Sequence, residues 1–188
     1  MKYCKKCILP NTRPNLKINE KGLCNSKCSS DKKINWSKRS KEFKILVDKI
    51  KKNNKSIYDC VIPVSGGKDS TWQVMTALRY GLKPLAVTWK TPQRSRIGER
   101  NLENLVKLGV DHVDFSINPK IEKQLIYKSF ILEGSPALPM HMAIHNIPKI
   151  FAEKFNVPMI LWGENSAYEY GSEDEKLKGS KLTLKWRK

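Results

Sequence analysis

The chain is poor in arginine, poor in acidic residues and almost without cysteine past its first thirty positions, and it has no long apolar run. Spanning a bilayer takes roughly 20 consecutive apolar residues, and no stretch here approaches that. The opening Met1-Lys2-Tyr3-Cys4-Lys5-Lys6-Cys7 has no apolar centre of the kind a secretory leader needs. A soluble, cytoplasmic protein is the expectation. Arginine supplies only seven of the 36 basic residues, yet arginine is the residue that grips phosphates and bases through paired bonds. The net charge of +18 attracts polyanions without selectivity. Because the lysines are spread along the chain, RNA is the less favoured partner, and an anionic sugar nucleotide would profit from the same field.

At 188 residues the chain can bury one good core with a small appended module. Four of its five cysteines form two pairs, Cys4-x2-Cys7 and Cys24-x3-Cys28. In a cytosolic chain such pairs point to metal rather than to disulfides. Residues 1–33 therefore read as a zinc-binding module, favoured over an iron–sulfur site or unbound thiols, with Cys4, Cys7, Cys24 and Cys28 as ligands. Metal would supply folding energy that this core-poor segment lacks. Residues 34–56 read as a connecting helix, with Trp36, Phe43, Leu46, Val47 and Ile50 forming an approximate apolar stripe among lysines.

Past residue 57 the text changes. Tyr58-Asp-Cys-Val-Ile-Pro-Val64 is an apolar run that breaks into Ser65-Gly66-Gly67-Lys68-Asp69-Ser70 and opens into a helical pattern. Two glycines permit positive φ and close approach of an anion, and a helix start adds free N–H groups and the positive end of a dipole. A Walker A loop would need glycine at the place of Ile62 and serine or threonine at that of Asp69. The stretch resembles instead the Ser-Gly-Gly-x-Asp-Ser loop of the PP-loop ATP pyrophosphatases, which cleave ATP between its α and β phosphates.

Strand and helix signals then alternate. Strands are predicted at about Asp59–Val64, Leu85–Trp89, His112–Ser116 and Met159–Trp162. Helices are predicted at Ser70–Tyr80 (ended by Gly81), Glu99–Leu108 (closed by Gly109), Lys120–Glu133 and Met140–Phe155, with Pro148 expected to kink or restart the last. The fold class is α/β, a parallel sheet with helices on both faces. Ligands of such folds sit at the carboxyl ends of the strands, so the loops after Val64, Trp89, Ser116 and Trp162 should converge. His141 and His145 share a helical face, but the segment lacks the glutamate of a zinc protease and reads as structural. Cys60, within the first strand, reads as a small buried hydrophobe.

A wider set of segments resembles the N-acetyl sugar amidotransferases, PP-loop proteins of bacterial surface-polysaccharide and flagellar-glycan pathways. They are Tyr3–Cys7 with Pro10 and Arg13-Pro14, Pro63–Ser70, Val87-Thr88-Trp89, Arg100–Leu105, Leu108–His112 and Trp162-Gly163-Glu164-Asn165. The likeness covers the amino-terminal half of the family's usual length, so residues 57–188 are expected to be an ATP-binding domain incomplete at its carboxyl end. It implies ATP-dependent conversion of an acetamido group on a nucleotide-linked or nonulosonic sugar into an acetamidino group, with AMP and pyrophosphate released. It also implies ammonia delivered by separate glutaminase and cyclase-like barrel subunits.

The same resemblance implies roles for individual residues. Ser65, Gly66, Gly67, Lys68 and Ser70 would hold phosphates, Asp69 would bind Mg²⁺, and Thr88 and Trp89 would face adenine. Glu164 and Asn165 would orient sugar, metal or ammonia. Blander readings stand beside these: a helix cap for Asp69, core cover for Trp89 and a turn dipeptide for Glu164-Asn165. The competing functions are a tRNA-thiolating PP-loop enzyme, disfavoured by the lack of a mobile cysteine near the loop, and a truncated ATP-binding fragment.

Overall fold

The computed structural model describes residues 1–12, 16–25 and 35–164. Arg13-Pro14, Cys28, Asn165 and the segment up to Lys188 lie outside the described residues. The described residues divide into a small unit, within Met1–Asn35 and with Glu164, and a larger one, Trp36–Gly163.

In the larger unit the elements run α1 (Trp36–Asn53), β1 (Cys60–Pro63), α2 (Lys68–Arg79), β2 (Pro84–Trp89), α3 (Arg96–Val106), β3 (Asp111–Phe115), α4 (Pro119–Glu133) and α5 (Ala137–Lys154). The three strands pair in parallel in the order β1-β2-β3, with Val61 opposite Leu85 and Leu85 opposite Asp111. Parallel pairing requires a crossover between strands. Here α2 makes the first and α3 the second.

Side-chain alternation along β1 and β2 makes the core two-sided. Cys60, Ile62 and Ala86 pack with Val47 of α1, Val74 and Ala77 of α2, and Leu102 and Leu105 of α3. Val61, Leu85 and Val87 turn the other way and pack with Ala143, Ile147 and Ala152 of α5. A parallel sheet buried on both faces is the predicted fold class.

The helix ends follow local chemistry. Ser95 caps α3 by accepting from the Gly98 N–H at 3.1 Å, and Asn118 caps α4 by accepting from the Lys120 N–H at 3.0 Å, just before Pro119 in the first turn. Gly81 follows α2 with φ of +68°, as its predicted stop role requires.

Two expectations need correcting. The predicted strand Met159–Trp162 shrinks to one parallel bridge, Ile160 with Val61, on the free side of β1. Its bonds are Val61 N–H to Met159 O and Leu161 N–H to Val61 O, each 2.9 Å, and Pro158 has no N–H with which to extend the ladder. At Pro148 no restart occurs, since α5 continues to Lys154. Burial of Ala143, Ile147, Pro148 and Ala152 offsets the single helical hydrogen bond that the proline cannot make.

Candidate functional site

The candidate phosphate loop, Ser65–Ser70, follows the end of β1. Gly66 takes φ of +77° and is pressed against α3: a Cβ there would lie 3.2 Å from both Gly98 O and Asn101 Cβ. Only glycine fits both the backbone angle and the space. Gly67 then caps α2 with its backbone alone, and among the described residues no side-chain cap bond reaches the N–H groups at the start of that helix. Those groups remain available to an anion.

Inside the loop, the Ser70 hydroxyl donates to Gly67 O at 3.1 Å and the Thr71 hydroxyl donates to the same oxygen at 2.9 Å. Ser65, Gly67, Lys68 and Asp69 are exposed while Gly66 and Ser70 are buried. The capping role considered for Asp69 is therefore absent. Its carboxylate instead meets Lys68 Nζ at 2.7 and 2.9 Å, with the two side chains 78% and 88% exposed. Such a solvated pair is worth little, so it opens at small cost when a polyanion and a cation offer better partners. An exposed carboxylate beside such a turn fits Mg²⁺, which is commonly held by one or two carboxylates and the substrate's own phosphates.

Around the loop lies a network that sequence patterns did not reveal. Thr88, buried at the end of β2, donates its hydroxyl proton to Val64 O at 2.8 Å. It also meets His112 Nε2 at 2.8 Å. A hydroxyl has one proton, and Val64 O can only accept, so His112 must donate from Nε2. The tautomer is set by the neighbour. Burial holds the His112 pKa below its ordinary value, with Asp114 opposing and Arg94 adding to the effect.

Arg94, in the loop after β2, makes a two-pronged bond to Asp114 at 2.6 Å on each arm and is only 11% exposed. The bond to Arg94 lowers the Asp114 pKa, although burial works against it. Together with the bond from Lys90 N–H to Phe115 O, the network links Val64 just after β1, Lys90 and Arg94 just after β2, and β3 itself. His112 falls in one of the quoted segments, Leu108–His112, but nothing local in the sequence marks Arg94 or Asp114.

Trp89 donates its indole N–H to buried Glu122 of α4 at 3.0 Å and packs on the α5-side core, which matches the covering role. Thr88 has its hydroxyl fully engaged. Cys60 is wholly buried, and burial followed by the nearby Asp59 charge pushes its thiol up to about 12. It is no nucleophile. A cleft of about 390 Å³, lined by residues that include Lys149, Glu153, Asn156 and Met159, opens at the far end of α5, away from the phosphate loop.

The sheet and its helices have counterparts of known structure. An NH3-dependent NAD synthetase from Campylobacter jejuni subsp. jejuni NCTC 11168, in complex with the nitrate ion, aligns at a TM-score of 0.52 and 20% identity, over 79% of this chain and 62% of that one. An NMN synthetase from Francisella tularensis aligns at 0.50 and 19% identity, over 72% of this chain and 57% of that one. The fold is the PP-loop, NAD-synthetase-like fold. The chain spans about three fifths of each protein's length. No family model matches the sequence, and no curated protein does. No described helix is long and apolar enough to cross a membrane.

The small unit carries a separate candidate metal centre. The sulfurs of Cys4, Cys7 and Cys24 lie within 4.8 Å of one another. Four thiolates at about 2.3 Å around a tetrahedral Zn²⁺ would stand about 3.8 Å apart, so the three described sulfurs fit. The turn that brings them together is tight, with Ile8 at φ +61°, rare for a β-branched residue, and its N–H bonded to Cys4 O at 2.9 Å. Burial pushes the Cys4 thiol up, but N–H groups of Cys24, Cys7 and Lys6 outweigh that and leave it lowered. The proposed fourth ligand, Cys28, lies outside the described residues. Glu164 is exposed and belongs to the small unit.

Proposed function

We propose that this chain is an ATP-dependent amidotransferase that turns a sugar acetamido group into an acetamidino group. The observation that carries the reading is the Ser65–Ser70 turn, with Gly66 in the left-handed region, uncapped N–H groups at the start of α2 and an exposed Asp69 beside them. The fold likeness supports ATP use at this loop. That one of the similar proteins is named NH3-dependent supports ammonia as the nitrogen source. The quoted sequence segments support the sugar.

An amide carbon resists ammonia because its oxygen is a poor leaving group. In the proposed first step that oxygen attacks the α phosphorus of ATP, the bond from the α phosphorus to its bridging oxygen breaks, pyrophosphate leaves and the amide nitrogen gives up its proton. Ammonia then adds to the imidate carbon, AMP departs with the oxygen, and a second proton is lost to yield the amidine. The amides of Gly66 and Gly67 and the hydroxyl of Ser65 hold the β and γ phosphates, while Ser70, whose hydroxyl proton is spent on Gly67 O, braces the loop. Lys68 swings from Asp69 towards them and offsets their charge. Asp69 would hold Mg²⁺, whose chemistry there is to neutralise charge developing on the pyrophosphate. Ammonia would come from the glutaminase and barrel subunits that the resemblance implies.

Calorimetry with MgATP tests the reading, with MgGTP and Asp69→Ala as controls. Selective MgATP binding, weakened at least tenfold in the variant, is expected, followed by AMP release dependent on ammonia and an acetamido sugar. A folded, zinc-loaded sample that binds no MgATP would sink the proposal.

A further inference from the structure

Beside the phosphate loop stands an aromatic group that the reading above leaves without a task. Trp162 is 37% exposed, and its ring packs on the imidazole of His145 with centroids 5.0 Å apart and planes tilted by 40°. Because Ile160 pairs with Val61, Trp162 is level with Pro63 on the neighbouring strand, two residues short of Ser65. With strands about 4.8 Å apart and a rise of about 3.3 Å per residue, that puts it on the order of 8 Å from the loop.

The segment is held from both faces of the sheet. From the α5 side, His145 meets Trp162. From the α2 side, the amide of Gln73 packs so closely on Gly163 that a Cβ there would lie 2.9 Å from Gln73 Oε1. The shelf therefore lies at the carboxyl edge of the sheet, between the phosphate-loop helix and α5.

We infer that Trp162 and His145 form the acceptor shelf of the site, taking the flat apolar face of a sugar ring while the α phosphate of ATP faces the ring's acetamido group. The inference rests on the reading of the loop as an ATP site. Two observations favour a sugar. A pair tilted by 40° at 5.0 Å leaves no slot for an inserted base, so a ligand must lie on one open face, and the C–H face of a pyranose needs only one. The polar groups at hand are the amide of Gln73 and, one helical turn from His145, the exposed His141. An amide both donates and accepts, which suits hydroxyls better than phosphates.

The test is calorimetric binding of UDP-N-acetylglucosamine, with UDP alone as control, to the wild-type chain and to Trp162→Ala and Trp162→Phe, with MgATP titrated in parallel and folding checked by thermal melts. The expected result is at least a tenfold loss of sugar-nucleotide affinity in Trp162→Ala, substantial recovery in Trp162→Phe, weak binding of UDP, and an MgATP affinity within twofold of wild type in both variants. Sugar binding that ignores the substitution, or is absent altogether in a chain that binds MgATP, overturns the shelf and leaves the loop reading standing. Loss of MgATP affinity in Trp162→Ala, or equal binding of UDP, assigns the ring to a nucleotide base and also overturns it. A Trp162-dependent sugar affinity in a chain that binds no MgATP would keep the shelf and remove the loop reading.

Discussion

Replacing Thr88 by valine keeps the shape of a buried side chain and removes one oxygen, so its cost can be worked out from two hydrogen bonds. Val64 O loses its 2.8 Å donor and His112 Nε2–H its 2.8 Å acceptor. A typical hydrogen bond contributes about 1 kcal/mol net, and a buried polar group left without a partner costs about 1–3 kcal/mol. Because His112 is only half-buried and recovers part of its bonding from water, the sum expected for Thr88→Val is about 2–3 kcal/mol. Thr88→Ser keeps the oxygen and loses a methyl, about 0.8 kcal/mol. Urea unfolding reads both, as a lower midpoint at unchanged slope. The Val64 carbonyl lies directly before Ser65, so the valine variant should also bind MgATP more weakly while the serine variant recovers most of the affinity. A valine variant within about 0.5 kcal/mol of wild type, or a serine variant as damaged as the valine one, would refute this account of the hydrogen bonds.

Three further outcomes are expected. Asp114 has a folded pKa below its unfolded one because of Arg94, so its contribution is present above the unfolded carboxylate value and is lost as pH falls through the folded one. Asp114→Asn should cost about 2 kcal/mol near neutrality and flatten the acid side of the stability curve below about pH 4, which urea melts at stepped pH would show. Gly66→Ala places a Cβ at φ +77° and 3.2 Å from Gly98 O; a loss of about 2–3 kcal/mol together with MgATP binding is expected, whereas an alanine variant of wild-type stability would contradict the crowding. A thiol reagent at pH 8 should leave Cys60 untouched, since its thiol is pushed up to about 12, while chelation should release one zinc per chain and expose the amino-terminal thiols; ready labelling of Cys60 in the folded chain would count against its burial.

The α/β class, the order of elements as far as α5 and the glycine turn between β1 and α2 were legible in the residues alone. Each depends on neighbours in the chain: apolar strands of four to six residues, glycine where φ must be positive, and a helix start directly after. The helix stop at Gly81 and the inertness of Cys60 were legible on the same local grounds. The fate of Pro148 and of residues 159–162 was not, because one depends on burial against the sheet and the other on how much of β1 remains free to pair. Tertiary structure alone decided that Thr88 spends its hydroxyl on Val64 O, that His112 carries its proton on Nε2, that Arg94 grips Asp114, and that His145 lies against Trp162. Those partners stand between 17 and 24 positions apart along the chain. A sequence pattern records the period of one element, whereas such contacts arise from the register between strands and from the side of the sheet on which each helix returns.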